Sequence, residues 1–536
     1  LTETVYSRFR DTALRRGEGA FLNVLPETAA IYGIQAGEIS YRAMLDRVER
    51  WRSDFAAQGY GEGHRVGLLL QNRPAFVEIW FALNALGASV VPINPDLRLS
   101  ELEYIIAHSE MNAAFVLAER RAEVETAARQ ADRPIPVVTD ADGVPVPFGG
   151  RRAPNAGNSA AECALLYTSG TTGQPKGCVL TNQYFLHSGD WYRDAGWLID
   201  LRLDQERMIT PLPLFHMNAM AVSLVAMVTV RGCLTMLDRF HPRTWWSSVR
   251  DSRATCLHYL GVMPSMLMSA PPSEQDRAHS VRFGFGAGVD KLLHAPFEER
   301  FGFPLIEAWA MTETGSGGTI AANIEPRKIG TSCFGRPTAD VQVRIVDEDD
   351  HDVAQGMPGE LLVRRGGADP RYGFFSEYLK NREATDEAWK GGWLHTGDVV
   401  SYDADGDLHF VDRKKNVIRR SGENIAAVEV ESVLNRHALV RQAAVAATPD
   451  QVRGDEVAAV IIAEPAQADR ALAEDIVRWS LEQMAYYKAP GWICFVDSLP
   501  LTATEKIQRA GLKDFVARLM RDNAFHDVRD LKKRQV

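Results

Sequence analysis

Cysteine is scarce and unpaired in this sequence. Its 536 residues hold six, Cys163, Cys178, Cys233, Cys256, Cys333 and Cys494. There is no Cys-x-x-Cys pair and no His/Cys spacing suited to zinc, so neither a disulfide framework nor a zinc module is indicated. The thiols read as reduced, packed side chains of a cytoplasmic protein. Long apolar runs are missing too. The uncharged stretch HMNAMAVSLVAMVTV, residues 216–230, is too short and too polar at its start to cross a bilayer, which leaves a buried helix and no membrane partner. The opening LTETVYSRFRDTALRRGEG is charged and has no apolar segment of an export signal. Basic charge is in deficit: 60 Lys and Arg against 70 Asp and Glu give a net charge of −10, which argues against nucleic acid as the partner. No fixed-period repeat is visible, which disfavours a solenoid.

What remains is an ordinary globular composition, 46% hydrophobic and 24% charged, too ordered for a disordered scaffold. The length suggests two to four units at roughly one per 150 residues. RVGLLLQ, ASVVPIN and AAFVLA are short apolar runs that read as buried strands, and PAFVEIWFALNAL between the first two has helical spacing. That alternation predicts parallel sheet layered by helices. The same texture returns at MITPLPLF, CLTML and PLIEAWAMTE. From about Asp340 it changes: VQVRIVDEDD, GELLVRR and GDLHFVDR read as antiparallel strands separated by turns. YDADGDLHF lacks the glycine and the terminal acid of a calcium loop, so a hairpin turn is expected there. After DRKKNVIRRSGENI come a helix over 427–436 and two strands, QAAVAATPD and EVAAVIIAE. The expected fold is α/β: a large domain, 1–412, of layered sheets and helices with a barrel-like portion, and a small mobile α+β domain, 413–536. A site between the two is expected.

The most telling stretch is YTSGTTGQPKG, residues 167–177. It is not the common P-loop, because Lys176 follows a proline and precedes a glycine. Its ingredients are still those of a phosphate cradle. Gly170 and Gly173 let backbone N–H groups turn toward an anion, and Thr168, Ser169, Thr171 and Thr172 add hydroxyl donors. Strand-like flanks, ALLYT and GCVL, argue against a loose linker.

This loop resembles the phosphate loop of the adenylate-forming superfamily, which holds acyl-CoA synthetases, luciferases and peptide-synthetase adenylation domains. Further motifs follow in that family's order: PLPLFHMNA at 211–219, EAWAMTETG at 307–315, GWLHTGDV at 392–399, DRKKNVIRRSGENI at 412–425 and LPLTATEKIQR at 499–509. The resemblance covers nearly the whole chain, and FHMNA and HYLGVMPSML are most similar to the crotonobetaine/carnitine-CoA ligase-like branch.

The resemblance implies an AMP-forming acid–CoA ligase that uses ATP, Mg²⁺, coenzyme A and a small carboxylic acid. Such chemistry brings an anion to a polyanion, so the site must neutralise charge at the α-phosphate. By resemblance Thr312 contacts that phosphate, Glu313 holds Mg²⁺, Asp398 accepts the ribose hydroxyls and Arg413 adds a ribose or phosphate contact. Trp309, where the family usually has tyrosine, is expected to stack on adenine with its neighbours Ala310 and Met311, against Gly286, Ala287 and Gly288 of GFGAGV. Lys506 is the catalytic lysine of adenylation, although Glu505 stands where the family usually has glycine. Lys415 marks the hinge, and Ser421, Gly422 and Glu423 lie along the pantetheine path. His216 falls at the family's gate or pocket wall. The segment DWYR, 190–193, would suit either an aromatic box for a quaternary ammonium or an arginine clamp for a second carboxylate. Competing readings are a carrier-protein loading enzyme, a light-emitting oxygenase of the same superfamily and a non-catalytic homologue. His216 stands where amino-acid activators usually place an aspartate, and the retained Thr312, Glu313, Asp398, Arg413 and Lys506 speak against a dead homologue.

Overall fold

The computed structural model describes residues 3–155, 157–168, 174–347, 349–413, 417–463, 468–499 and 509–532. Two compact units emerge, one gathering Leu1–Pro95, Ile106–Leu166 and Gly177–Asp412, the other Asp96–Ile105, Tyr167–Lys176 and Arg413–Val536.

The apolar runs near the start of the chain form strands Arg65–Leu69, Ser89–Pro92 and Ala113–Val116, paired in parallel. The helix between the first two, Pro74–Asn84, has proline in its first turn, where the missing N–H has no helical partner to lose. All its residues but Ala75 are buried, as expected of a helix packed inside a layered α/β body. These strands belong to a seven-stranded sheet that continues through Glu162–Thr168 and Lys176–Thr181. An eight-stranded sheet holds Leu305–Trp309, Phe283–Ala287, Cys256–Leu260, Arg207–Thr210 and Cys233–Met236 side by side, all parallel. Phe9, Phe21, Tyr41 and Phe81 pack as mutually tilted rings in the shared core.

The long uncharged stretch is a buried helix, as its sequence suggests, but its first part, Asn218–Leu224, is wound as a π-helix before Val225–Val230 turns α-helical. Helix Asn182–Asp194 lies against it. At Gly189 the two come so close that a Cβ would collide with the Thr229 side chain, so only glycine fits. Among the described residues no helix is long and apolar enough to cross a membrane. All six cysteines are buried and unbridged.

The antiparallel unit expected after about Asp340 is a five-stranded sheet in the order Cys333–Gly335, Leu408–Arg413, Leu394–Tyr402, Gly359–Arg365, Val341–Val346. The aspartate-rich segment is its hairpin turn, with the Asp403 N–H donating to Asp407 O at 3.1 Å. Asp403, Asp405 and Asp407 do converge like a cation site, but a cation is already there: Lys328 Nζ lies 2.5, 2.7 and 3.1 Å from the three carboxylates.

In the small unit, Val440–Asp450 and Gly454–Ala463 form a long hairpin that continues in parallel to Trp492–Phe495 and then to His526–Asp527. Side chains alternate across it. Ala443 and Val445 join a core with Val430, Leu434 and Ile476, and Ala444 and Ala446 pack on the opposite face with Leu512 and Val516. The helix expected over 427–436 ends at Leu434.

Candidate active site

The three strands Cys256–Leu260, Phe283–Ala287 and Leu305–Trp309 end together, and the carboxyl edge of a parallel sheet is where such folds bind ligands. Gly286 is buried beside Tyr259, whose ring would lie 2.8 Å from a Cβ there. Ala287 and Gly288 are exposed just beyond, and Gly288 takes a φ of 82°. The turn is held from beneath by Glu307. Its carboxylate accepts the Gly288 and Val289 N–H groups at 3.0 and 2.8 Å and the Tyr259 hydroxyl at 3.3 Å. Burial pushes the Glu307 carboxyl up. The sequence reading named the glycines and missed this acid, which is the first letter of EAWAMTETG.

Trp309 ends its strand buried, and its indole N–H donates to Asp398 Oδ2 at 2.8 Å. Asp398 is itself only 3% exposed. It sits on Leu394–Tyr402, where Thr396 fixes it locally: the Thr396 hydroxyl accepts the Asp398 N–H at 3.1 Å and donates to Leu361 O at 2.7 Å. The residues expected to serve adenine and ribose separately are therefore bonded to one another.

After Trp309 the chain turns at Met311–Thr314, with Thr314 Oγ1 accepting the Met311 N–H at 2.9 Å. Ala310 is exposed, Met311 and Thr312 half-buried, Glu313 buried. Two tyrosines hold this turn. Tyr184 donates to Thr312 O at 3.0 Å, and Tyr378 donates to Glu313 Oε1 at 2.8 Å. Burial and the Glu313 charge push the Tyr378 phenol well above its ordinary range, so it stays a donor. A single carboxylate fits Mg²⁺, which takes one or two protein carboxylates and completes its shell with phosphate oxygens and water.

His216 lies half-buried against Phe215, ring centroids 4.6 Å apart. Two residues on, Asn218 opens the π-helix and reaches a histidine that the sequence reading passed over. His258 is fully buried; Nδ1 lies 2.8 Å from Asn218 Oδ1 and 2.9 Å from Ser223 Oγ, and Nε2 lies 3.1 Å from the Tyr192 hydroxyl. Burial pushes this imidazole down to about 3. The network is satisfied by a neutral ring with its proton on Nδ1, accepting from Tyr192 at Nε2. Trp191 and Tyr192 both pack on Phe285. Arg193, the alternative clamp, is bound at 2.9 Å to Asp190 and 2.7 Å to Asp194 on the surface.

In the second unit Thr168 ends strand Glu162–Thr168 and Lys176 begins Lys176–Thr181, both half-buried. Tyr104 donates to Pro175 O at 2.8 Å beside Lys176. Ser169, Gly170, Thr171, Thr172 and Gly173 lie outside the described residues, as do Lys415 and Lys506. Arg413 closes strand Leu408–Arg413. Ser421 and Gly422 form an exposed two-residue turn between Val417–Arg420 and Glu423–Ala426, with φ of 51° and 89°, and Glu423 is half-buried.

A glycine-walled sheet edge with a buried acid–indole pair and a tyrosine-braced Thr-Glu turn is the layout of an α/β enzyme that works on a nucleotide. The chain belongs to the AMP-binding enzyme family, whose profile matches residues 21–372, and the AMP-binding enzyme C-terminal domain matches 429–506. A crotonobetaine/carnitine–CoA ligase of Shigella flexneri is 29% identical over 492 residues, 88% of this chain and 93% of that protein. The fold is shared with a double mutant of o-succinylbenzoate CoA synthetase from Bacillus subtilis, at a TM-score of 0.81 and 23% identity over 96% of this chain and 98% of that one. It is shared as well with an amide bond synthetase from Marinactinospora thermotolerans, at 0.78 and 23% over 96% and 99%.

Proposed function

We propose that this chain is an AMP-forming acid–CoA ligase working in the cytoplasm. A carboxylate oxygen of the substrate attacks the α-phosphorus of ATP, the bond to the bridging oxygen breaks, and pyrophosphate leaves. The thiolate of CoA then attacks the acyl carbon, forming the thioester and releasing AMP, with the thiol proton passing to solvent. The observation that carries this reading is the Trp309–Asp398 pair, which ties the eight-stranded sheet to the five-stranded one beside the Thr312–Glu313 turn. Family membership and the CoA ligase names of the relatives support it.

Within this reading Trp309, fixed in its plane by Asp398, faces the adenine, and Gly286, Ala287 and Gly288 form the other wall. Asp398 accepts the ribose hydroxyls, and Arg413 adds a second ribose or phosphate contact. Thr312 donates to the α-phosphate. Glu313, steadied by Tyr378, would hold Mg²⁺, which supplies charge neutralisation at the phosphate oxygens. Lys506 donates to the carboxylate and the α-phosphate, and the loop around Thr168 and Lys176 holds the departing phosphates. Ser421, Gly422 and Glu423 guide the thiol after the small domain turns at Lys415. The domain boundary at 412–413 belongs to this reading.

A screen of carboxylic acids for release of pyrophosphate, and of AMP once CoA is added, tests it. Acid-dependent pyrophosphate and CoA-dependent thioester are expected. ADP and orthophosphate as products, or transfer to an amine or a carrier protein with CoA inert, would overturn it.

A further inference from the structure

The turn Ser421–Gly422 carries a strained residue. Ser421 takes a φ of 51°, a left-handed conformation that a residue with a side chain holds only when its surroundings fix it. Backbone pairing fixes one side: the Ser421 N–H donates to Arg453 O at 2.9 Å, and Arg420 pairs with Gly454. The other side is an ion cluster beneath the turn. Arg420, immediately before Ser421, is 1% exposed, and its Nε lies 2.9 and 2.8 Å from the two oxygens of Glu456, which is fully buried. Its Nη1 is buried with no hydrogen-bond partner among the described residues.

Glu456 is held in turn. Lys532, near the end of the chain and 5% exposed, binds its Oε1. The Val457 N–H donates to the same oxygen at 2.9 Å. Gly491 leaves the room: a Cβ there would sit 2.6 Å from the Glu456 carboxyl carbon and 2.9 Å from Arg529 Cγ. The segment that brings Lys532 in is tied down by strand His526–Asp527, by the Val528 N–H donating to Gly491 O at 3.0 Å, and by Arg529 stacked over Trp492 at 4.4 Å.

We propose that Lys532 is a positioning residue for the thioester-forming half-reaction, acting through Glu456 and Arg420 to hold the Ser421–Gly422 turn in the shape that receives CoA. This rests on the function proposed above. A buried carboxylate stripped of one of two cations loses a charge-assisted bond, and the guanidinium it anchors gains freedom to move. The turn then relaxes out of its strained conformation. Adenylation calls on none of Lys532, Glu456, Arg420 or the Ser421–Gly422 turn, and does not feel the change.

The test is Lys532→Met in the full chain. Burial, with the Arg420 charge behind it, pushes the Lys532 ammonium down to about 7, so the assays run at about pH 6, where it is protonated. Acid-dependent ATP–pyrophosphate exchange should stay within about twofold of the parent, while the KM for CoA rises about tenfold. Lys532→Arg, which keeps a charged donor, should recover most of the loss. Combining Lys532→Met with Glu456→Gln should add little to either single change. An unchanged KM for CoA in a folded variant, or equal loss in both half-reactions, overturns the inference. Should Lys532→Met not fold, Lys532→Gln serves with the same two outcomes. A parent that releases pyrophosphate but forms no CoA thioester overturns the proposed function instead, so the two failures are distinguishable.

Discussion

If Asp398 serves the ribose as well as the indole, the two duties separate by mutation. Trp309→Phe keeps a flat ring and removes the N–H that donates to Asp398 at 2.8 Å. A hydrogen bond to a charged acceptor is worth about 1.5–3 kcal/mol, and here the partner left behind is a buried carboxylate. A stability loss of about 2 kcal/mol is expected, a melting shift of only a few degrees in a chain of this size. ATP affinity should stay within about threefold. Asp398→Asn behaves in the opposite way. It keeps a carbonyl oxygen for the indole, so stability falls by about 1 kcal/mol, but it loses the charge that accepts two hydroxyls, and ATP binding weakens by about thirtyfold. Calorimetric ATP titration and thermal melting of both variants and the double variant complete the cycle. If Trp309→Phe weakens ATP as much as Asp398→Asn, and the double variant is no worse than either, the carboxylate acts on the nucleotide only by aiming the indole. The ribose assignment then fails.

Lys506→Ala should abolish acid-dependent pyrophosphate release by about 10²–10³ while a supplied acyl-adenylate still passes to CoA, because the lysine has no partner once pyrophosphate has gone; equal loss of both steps refutes this. Tyr378→Phe removes the donor to Glu313 and should raise the Mg²⁺ concentration for half-maximal rate by about three- to tenfold; a lowered melting temperature with unchanged Mg²⁺ dependence would make Glu313 structural. Burial holds His258 down to about 3, below its ordinary value of about 6.5, so the unfolded chain takes up this proton first. Its contribution is complete above about pH 6.5 and is lost as pH falls toward 3, about 2 kcal/mol between pH 7 and 5. Denaturant unfolding at both pH values should show His258→Gln losing less on acidification than the parent, and an identical loss contradicts the neutral buried ring.

The sheets were legible because both faces of a parallel strand are covered, so RVGLL and AAFV stand out as unbroken apolar runs. The helix Pro74–Asn84 was legible from its apolar spacing, although the run PAFVEIWFALNAL continues two residues past its end. The strands on either side of residues 169–173 were read correctly from apolar residues flanking glycine and threonine. The groups that brace the site were not. Tyr378 is 65 residues from Glu313 and Trp309 is 89 from Asp398, and no local pattern marks a tyrosine as a partner across that distance. Glu307 and His258 stayed hidden for a related reason: each sits in a strand that reads as apolar, and only the packed structure shows the donors that satisfy it. The π-helical start at Asn218 has no separate signature, since its residues would suit an α-helix equally well.

Lys328 among Asp403, Asp405 and Asp407 gives the hairpin a counter-ion that belongs to the chain. A dissolved calcium ion occupies such a trio only as far as its concentration allows, whereas a tethered ammonium has an effective concentration set by chain geometry and unaffected by dilution. The turn between Leu394–Tyr402 and Leu408–Arg413 is thereby made indifferent to chelators and to swings in divalent ions. Since the first of these strands carries Asp398, the Trp309–Asp398 pair inherits that indifference, and under the proposed function a dependence on magnesium would report the bound nucleotide rather than the scaffold.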